Sequence, residues 1–250
     1  MRSELTNDEV FVLCALHGST EIVGVANPFI AMPDEEISAK LDNVIEKLET
    51  KDFVHKEDNR YVVNDSIKEI VDFISSPETT YILAEEDDAE YVFMKNDKAL
   101  HMKNVNLENC FFTDLDTGEK TKKFFKEKFS FYKSHTDAVQ YMLSIPSNTM
   151  DKAIDKAEKG QMAEAIETLS GDDFEKEEME NMLNSIIFPL LSKTVICSKS
   201  IHGITHESIY KICSTVKGAW IVKISTTDEG ANTLVYKATD DDITKIIFEF

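Results

Sequence analysis

Four side chains with the types and spacing of metal ligands stand in the C-terminal part of the chain, Cys197, His202, His206 and Cys213. A structural zinc site needs four ligands that converge tetrahedrally on the ion. The flanking pattern predicts strands, and in a tight hairpin Cys197 would pair with about residue 209 instead of Cys213. The cysteines are therefore predicted to be core residues and the histidines loop residues, and no metal is expected.

Acidic clusters supply the other candidate chemistry, as paired carboxylates or calcium ligands. Asp114 and Asp116 begin a spacing like that of a calcium loop, but the glycine comes one place early, at Gly118, and no terminal glutamate follows. Three further acidic runs are 85–88, 172–173 and 240–242. The first is predicted at a hairpin tip, where it faces water, and the other two at helix starts, where negative charge is favourable. No catalytic residue is predicted.

Glycine motifs give no enzyme class either. The eight glycines form none of the loops that bind phosphates or that build the nucleophile elbow of a hydrolase. Nucleotide-binding and α/β-hydrolase functions therefore lack the backbone geometry they require. No cofactor is expected, and the protein is predicted not to be an enzyme.

Charge excludes several classes of partner. The 250 residues carry 27 basic and 47 acidic side chains, a net charge of −20. Binding to nucleic acids and to anionic membranes depends on Lys and Arg, so neither is expected as a partner.

With 42% hydrophobic residues the chain has enough apolar material for a folded core. The sequence offers no recognisable leader or membrane-spanning run, its four cysteines are dispersed, and a reduced cytoplasmic protein is predicted.

The first 76 residues predict an N-terminal helical module. Thr6 and Glu9 have the spacing of a capping box, and 34–50 carries apolar residues at helical intervals. These residues are Ile37, Leu41, Val44, Ile45 and Leu48. A hairpin around 57–59 and a helix from about 64 to 74 complete a winged-helix-like outline. The module holds seven basic and sixteen acidic residues, a net charge of −9, which disfavours DNA recognition. A winged-helix transcriptional regulator with an acidic sensor domain stays the alternative function.

Residues 77–250 predict an α+β body made of two pseudo-symmetric halves, each an antiparallel β-meander followed by a helix. The first half, 77–146, closes with a helix that passes through Met142 and ends at Pro146. A central helical region covers 147–192. The second half, 193–250, closes with a helix capped by Thr239.

A basic aromatic segment interrupts this acidic body. Lys120–Lys133 holds six lysines and five aromatic residues, among them Phe124, Phe125 and Phe129. Two interpretations are open: a positive patch that holds the acidic tip of a partner, or a half-buried strand or helix whose lysines face water. The half-buried element is the favoured interpretation.

Several short stretches resemble a known protein family. Thr215–Val222 reads T-V-K-G-A-W-I-V, and after an extended strand Ala238–Ile243 opens the last helix with three aspartates. This resembles the closing motif of the EspG-like chaperone family of type VII (ESX) secretion systems, and Leu5–Glu9 and Leu48–Val54 are similar to its start. The order of elements matches over nearly the whole chain. The Lys-, Asn- and Ile-rich composition looks like that of a Firmicutes-type member.

The resemblance implies a cytosolic, non-enzymatic chaperone that binds a helical secreted effector, WXG100-like or LXG-type, and keeps it soluble and export-competent. The secretion ATPase is a further candidate partner, and open meander edges are compatible with a homodimer. In the family the contact lies on a meander loop and on the helical region, which correspond here to about Met94–Lys98 and Met179–Phe188.

Partner-binding residues are predicted on these two regions and on the basic aromatic segment: Met94, Asn96, Lys98, Phe124, Phe125, Phe129, Met179, Met182 and Phe188. Methionines pack adaptably against varied helices. The predicted helix 174–191 has more large apolar residues than one buried stripe needs, and Leu190 is predicted on that stripe whereas Phe188 lies off it. Phe188 is therefore predicted to be an exposed anchor.

Overall fold

The computed structural model describes residues 2–85, 88–105, 108–115, 118–130, 142–169, 175–201, 204–227 and 230–239. The chain divides into two compact units. Unit 1 comprises 1–81 and 87–121, and unit 2 comprises 82–86 and 122–250. Each unit combines helices with antiparallel strands.

Unit 1 contains the N-terminal helices and the first meander. Its elements are β1 (Arg2–Thr6), α1 (Asn7–Leu16), α2 (Asp34–Thr50), β2 (Val54–Glu57), β3 (Arg60–Val63), α3 (Asp65–Ser75), the start of β4 (Thr79–Glu85), β5 (Asp88–Lys95), β6 (Lys98–Val105) and β7 (Asn109–Asp114). Strands β1, β7, β6 and β5 lie side by side in that order, all antiparallel. Strands β2 and β3 form a separate hairpin.

Helix α1 begins with the predicted capping box. Thr6 Oγ1 accepts a hydrogen bond from the Glu9 N–H at 3.2 Å, and the Glu9 carboxylate accepts one from the Thr6 N–H at 2.8 Å. Glu9 is buried, and both of its carboxylate oxygens accept from Lys51 Nζ, at 2.7 and 2.8 Å. The ion pair joins the start of α1 to the end of α2.

The predicted boundary after residue 76 falls inside unit 1. Val10 of α1, Ile70 of α3, Phe93 of β5 and Met102 of β6 are all buried in one hydrophobic core. The N-terminal helices therefore share their core with the first meander. The order α1, α2, β2–β3 hairpin, α3 follows the predicted outline, and the winged-helix assignment stays a prediction.

Helix α2 has the predicted bounds, but its apolar stripe is buried over only half of its length. Val44, Ile45 and Leu48 lie in the core of unit 1. Leu41 is 38% exposed and Ile37 is half-buried. The apolar stripe of α2 therefore continues beyond the part that packs in the core of unit 1.

Unit 2 contains the helical region and the second meander. Its elements are the end of β4, α4 (Glu119–Lys128, from residue 122 onward), β8 (Met142–Pro146), α5 (Ser147–Glu158), α6 (Met162–Leu169), α7 (Lys176–Ile187), β9 (Leu191–Ile201), β10 (Ile204–Ser214), β11 (Ala219–Thr227) and β12 (Gly230–Lys237). Strands β9, β10, β11, β12 and β8 lie side by side in that order, all antiparallel.

The helix predicted to pass through Met142 and end at Pro146 is wrong over those residues, which form strand β8. Leu143 pairs with Val235 of β12 and is buried, and Ser144 beside it is exposed. This alternation is that of a strand at the side of a sheet. The rest of that predicted helix, and the helix predicted after Thr239, lie outside the described residues, so the pseudo-symmetry of the halves stays a prediction.

Helix α7 is held against the second meander by a buried ion pair. Trp220 of β11 is fully buried in the core that α5, α6 and α7 share with the strands. Lys237 of β12 pairs with Trp220 in register, and its ammonium lies 5.8 Å from the centroid of the indole ring. The Lys237 side chain is 7% exposed, and Nζ donates to Glu178 Oε1 of α7 at 2.9 Å. A buried ammonium needs such a partner because desolvating an unpaired charge costs several kcal/mol.

Replacing Glu178 with alanine is expected to lower the free energy of unfolding by roughly 2 kcal/mol, because it removes the carboxylate that the buried Lys237 contacts. We expect a smaller decrease in the free energy of unfolding than for a fully buried ion pair, because the Glu178 side chain is 23% exposed. Glu180→Ala, on the exposed face of α7, is the matched control and should change stability by less than about 0.5 kcal/mol. Urea unfolding followed by circular dichroism measures both variants.

The double variant Glu178→Ala/Lys237→Met removes the buried charge as well. It should regain at least half of the stability lost in Glu178→Ala. A Glu178→Ala variant as stable as Glu180→Ala would contradict the structural role of the pair.

Candidate partner-binding site

Helix α7 turns one apolar stripe into the core of unit 2. Met179, Met182, Leu183 and Ile186 are buried there, with exposed fractions between 0% and 6%. Their spacing of three and four residues is that of one helix face. The two predicted methionine contacts, Met179 and Met182, are 1% and 0% exposed and have no side-chain surface to offer a partner in this structure.

Phe188 lies at the C-terminal end of α7, off the buried stripe, and is 69% exposed. Its N–H donates to the Asn184 carbonyl oxygen at 2.9 Å, which closes the last helical turn. Pro189 then ends the helix, because proline cannot continue it. The predicted exposure of Phe188 is confirmed.

The chain after Pro189 joins the sheet and exposes two more apolar residues. The Leu190 N–H donates to the Ser214 carbonyl oxygen at 2.9 Å, and Leu191 pairs with Ser214 at the start of β9. Leu190 is 66% exposed and Leu191 is 53% exposed. The prediction that Leu190 lies on the buried stripe of a helix reaching residue 191 is wrong, because α7 ends at Ile187 before Pro189. The exposure of Leu191 was missed, although a Phe-Pro-Leu-Leu run at a helix end is a usable signal.

The turn between β10 and β11 adds Val216, which is 75% exposed. Thr215 closes this turn, because its N–H and its hydroxyl both donate to the Gly218 carbonyl oxygen at 2.9 Å. Lys217 Nζ donates to Asn181 Oδ1 of α7 at 3.0 Å and ties the turn to the helix. Val216 is thus held in place at the end of the sheet where Leu190 and Leu191 emerge.

Phe188, Leu190, Leu191 and Val216 are called the α7–β9 patch below. Its four side chains are each more than half exposed. The backbone that carries them is fixed by a helix end, a strand pair and a closed turn. The patch can bury an apolar partner without first ordering itself, which lowers the entropic cost of binding.

The predicted meander-loop contact is a tight hairpin tip in unit 1. Asn96 and Asp97 join β5 to β6, both with positive φ, 49° and 60°, as a type I′ turn requires. Lys98 Nζ donates to Glu69 Oε1 of α3 at 2.7 Å. Asn96 and Lys98 are exposed and Met94 is half-buried. The tip is therefore polar and is held against α3.

The basic aromatic segment, most of which forms helix α4, has a buried aromatic side and an exposed side that carries lysines. Phe125 and Phe129 are buried and stack with ring centroids 6.4 Å apart. Phe124 is half-buried, with Lys128 Nζ 5.5 Å from its ring centroid. Lys193 Nζ lies 5.6 Å from the Phe129 centroid and donates to the Lys128 carbonyl oxygen at 3.2 Å. Of the three predicted aromatic contacts, Phe124 alone has surface to offer.

The two cysteines among the candidate zinc ligands are not brought together. Cys197 pairs with Ser208 and Cys213 pairs with Ser192, so the two cysteines lie five residues apart along the hairpin, about 17 Å at the rise of a strand. Within the described ranges, no group of His, Cys, Asp or Glu side chains is placed to hold a metal ion. His202 lies outside those ranges, and so do Asp116 and the acidic runs at 172–173 and 240–242.

Buried titratable groups belong to the core. Burial raises the pKa of the Cys14, Cys110 and Cys213 thiols to about 11. Burial, together with the neighbouring Cys197 and Tyr236, also raises the pKa of Tyr210. These shifts keep the groups neutral at physiological pH, as expected for side chains that fill space.

Neither a protein-family model nor a curated protein sequence matches the chain. A solved structure does, with a TM-score of 0.62 and 11% sequence identity, covering 98% of this chain and 93% of that chain. It is the Mycobacterium tuberculosis type VII secretion system chaperone EspG5 in complex with the PE25–PPE41 dimer. The chain has an EspG5-like fold. The predicted EspG-like combination of helices and a large antiparallel sheet is thereby confirmed. In the parts that the structure describes, no helix of this EspG5-like fold has the length and apolarity to cross a membrane.

Two alanine substitutions, one on the buried stripe of α7 and one beyond it, distinguish a core residue from a surface residue. Met182 is fully buried, so Met182→Ala is expected to lower the free energy of unfolding by about 2–4 kcal/mol. Phe188 is 69% exposed, so Phe188→Ala should change it by less than about 0.5 kcal/mol. Thermal and urea unfolding of both variants measures the difference. A Phe188 variant that melts as early as the Met182 variant would place Phe188 in the core.

Thiol reactivity tests the burial of the cysteines. All four are free and buried, and a pKa of about 11 leaves about one thiolate in a thousand at pH 8 for Cys14, Cys110 and Cys213. Ellman's reagent is expected to titrate less than one thiol per chain in the native protein and four after unfolding. Two or more fast-reacting thiols in the native protein would contradict this assignment.

Proposed function

We propose that the protein is a non-enzymatic, cytoplasmic chaperone that binds a helical substrate of a type VII secretion system and keeps it soluble and ready for export. The observation that carries the proposal is the fold likeness, over 98% of this chain, to a chaperone solved with the two proteins it binds. The sequence motifs at Thr215–Val222 and Leu5–Glu9 point the same way. Because one fold can serve several functions, the proposal also draws on the surface of unit 2.

The α7–β9 patch is the proposed centre of the client interface. Clustered large apolar side chains that are 53–75% exposed mark interaction sites on soluble proteins. Phe188 combines an aromatic ring with a rigid helix end and aliphatic neighbours, which are features of an interface hot spot. A secreted helical hairpin presents an apolar tip that aggregates in water, and the patch would bury that tip.

The other predicted contact residues take different roles in this proposal. Met179 and Met182 fix the position of α7 from within the core. Phe124 is proposed to add its exposed edge to the rim of this interface, and Asn96 and Lys98 are proposed to form a separate polar contact on unit 1. Rim contacts of this kind set specificity and association rate more than affinity.

The proposed client class is a WXG100-like or LXG-type effector, in line with the Firmicutes-type composition. The PE25–PPE41 dimer is a partner of EspG5 and is not proposed as the client here. The secretion ATPase is proposed as a further partner. A homodimer is compatible with the short edge strands β1 and β8.

Phe188→Ala is expected to weaken client binding at least about 30-fold, roughly 2 kcal/mol, because it removes the aromatic anchor of the patch. The client is first recovered by affinity purification of the full chain from its own cells, and binding is then measured by isothermal titration calorimetry. Phe111→Ala, at a 39% exposed phenylalanine of unit 1, is the matched control and should leave the affinity unchanged.

Equal affinity of the Phe188 variant, the Phe111 variant and the natural chain would remove the α7–β9 patch as the client site. Failure to recover any helical secretion substrate, together with sequence-specific DNA binding at physiological salt, would replace the chaperone with the alternative of a winged-helix regulator.

A further inference from the structure

Unit 1 carries a second apolar surface on the N-terminal half of α2. Val44, Ile45 and Leu48 bury the C-terminal half of the helix stripe. One and two turns earlier, Leu41 and Ile37 continue the same stripe, yet Leu41 is 38% exposed and Ile37 is half-buried. The apolar face of α2 therefore extends beyond the core that it packs on.

The loop before α2 adds an exposed isoleucine whose position is fixed. Phe29 packs edge-on against Phe11 of α1 at 5.8 Å and turns into the unit 1 core. Lys40 Nζ of α2 donates to the Pro28 carbonyl oxygen at 3.3 Å and ties the loop to the helix. With Phe29 turned inward, Ile30 projects outward and is 77% exposed. Its exposure is a consequence of how the loop is anchored.

Ile30, Met32, Ile37 and Leu41 are called the loop–α2 patch below. Pro33 is the N-cap of α2, so Met32 and Ile37 occupy the two positions that pack together in a hydrophobic staple. The loop part of the patch thus leads directly into the start of its helix part.

An acidic rim surrounds this patch and limits what can cover it. Exposed carboxylates flank it on α2: Asp34, Glu35, Glu36, Asp42 and Glu46. Lys40 is the one basic residue between 27 and 46, which gives this stretch a net charge of −4, and its ammonium pairs with Asp8 at 3.1 Å. A second copy of the chain, with a net charge of −20, would bring like charges together and is disfavoured.

We propose that the loop–α2 patch is a docking surface for a basic amphipathic helix of a protein partner. The apolar face of that helix covers Ile30 and Leu41, and its Lys or Arg residues meet the carboxylates of the rim. This surface belongs to unit 1, whereas the α7–β9 patch belongs to unit 2, so it does not depend on the proposed client site.

The test uses two dye-labelled peptides of about 18 residues that share one leucine face and differ in carrying lysine or glutamate on the other. Fluorescence anisotropy with the full chain, at about 0.15 M salt, measures affinity. The lysine peptide is expected to bind at least about tenfold more tightly than the glutamate peptide. Ile30→Ser and Leu41→Ser should each weaken the lysine peptide by about tenfold, and Glu35→Lys should weaken it as well.

Val62→Ser, at a 37% exposed valine of β3, is the matched control in unit 1 and should leave the affinity unchanged. Ile204→Ser, at a 62% exposed isoleucine of β10, is the control in unit 2, and thermal melts confirm that every variant is folded. Equal binding of both peptides would overturn the proposal, since charge would then play no part. Lysine-peptide binding that survives both Ile30→Ser and Leu41→Ser would also overturn it, because the peptide would then be adhering to the acidic surface at large.

Discussion

Lys237 carries a positive charge on a side chain that is 7% exposed, and the cost of burying that charge constrains the whole of unit 2. The ammonium lies near the indole of Trp220 and contacts the carboxylate of Glu178, so strand β12, strand β11 and helix α7 meet at one point. Met182 and Ile186 follow Glu178 by one and two helical turns and are buried in turn. Phe188 follows the last residue of α7 with a non-helical backbone, and its side chain is 69% exposed.

The predicted contact residues consequently divide into buried residues and exposed residues. Met179, Met182, Phe125 and Phe129 are buried and stabilise the elements that carry the surface. Phe188 is exposed, together with aliphatic neighbours contributed by the start of β9 and by the turn after β10. The type of a residue is therefore not enough to identify it as a contact residue, because methionine and phenylalanine fill a core equally well.

The strongly acidic composition has a consequence for both apolar patches. A net charge of −20 opposes the association of two copies through these exposed apolar side chains. On unit 1 the carboxylates crowd directly around the loop–α2 patch, which favours a basic partner. On unit 2, α4 turns lysines outward in the same acidic chain, and Phe124 lies half-buried among them. Each unit thus offers a surface of distinct charge and shape.

Local sequence determined much of the secondary structure. The Thr6–Glu9 capping box, the bounds of α2 and the Asn96–Asp97 turn rest on hydrogen bonds and backbone preferences within a few residues, so the sequence predicts them. Apart from β1, α4 and β8, the order of helices and strands along the described chain follows from the same signals. An overall EspG-like fold was recognisable from short motifs at the two ends of the sequence.

Tertiary structure decided the remainder, because burial depends on what lies opposite a residue and not on its own type. Met142–Pro146 forms a strand because β12 offers it a partner, although its residues also suit a helix end. Leu41 and Leu48 share one stripe of α2, yet only Leu48 has a neighbour that buries it. The sequence separates Val216 from Leu190 and Leu191 by more than 20 residues. The pairing of Leu191 with Ser214 places all three at one end of a sheet. Such pairing is a long-range contact, and no local pattern encodes it.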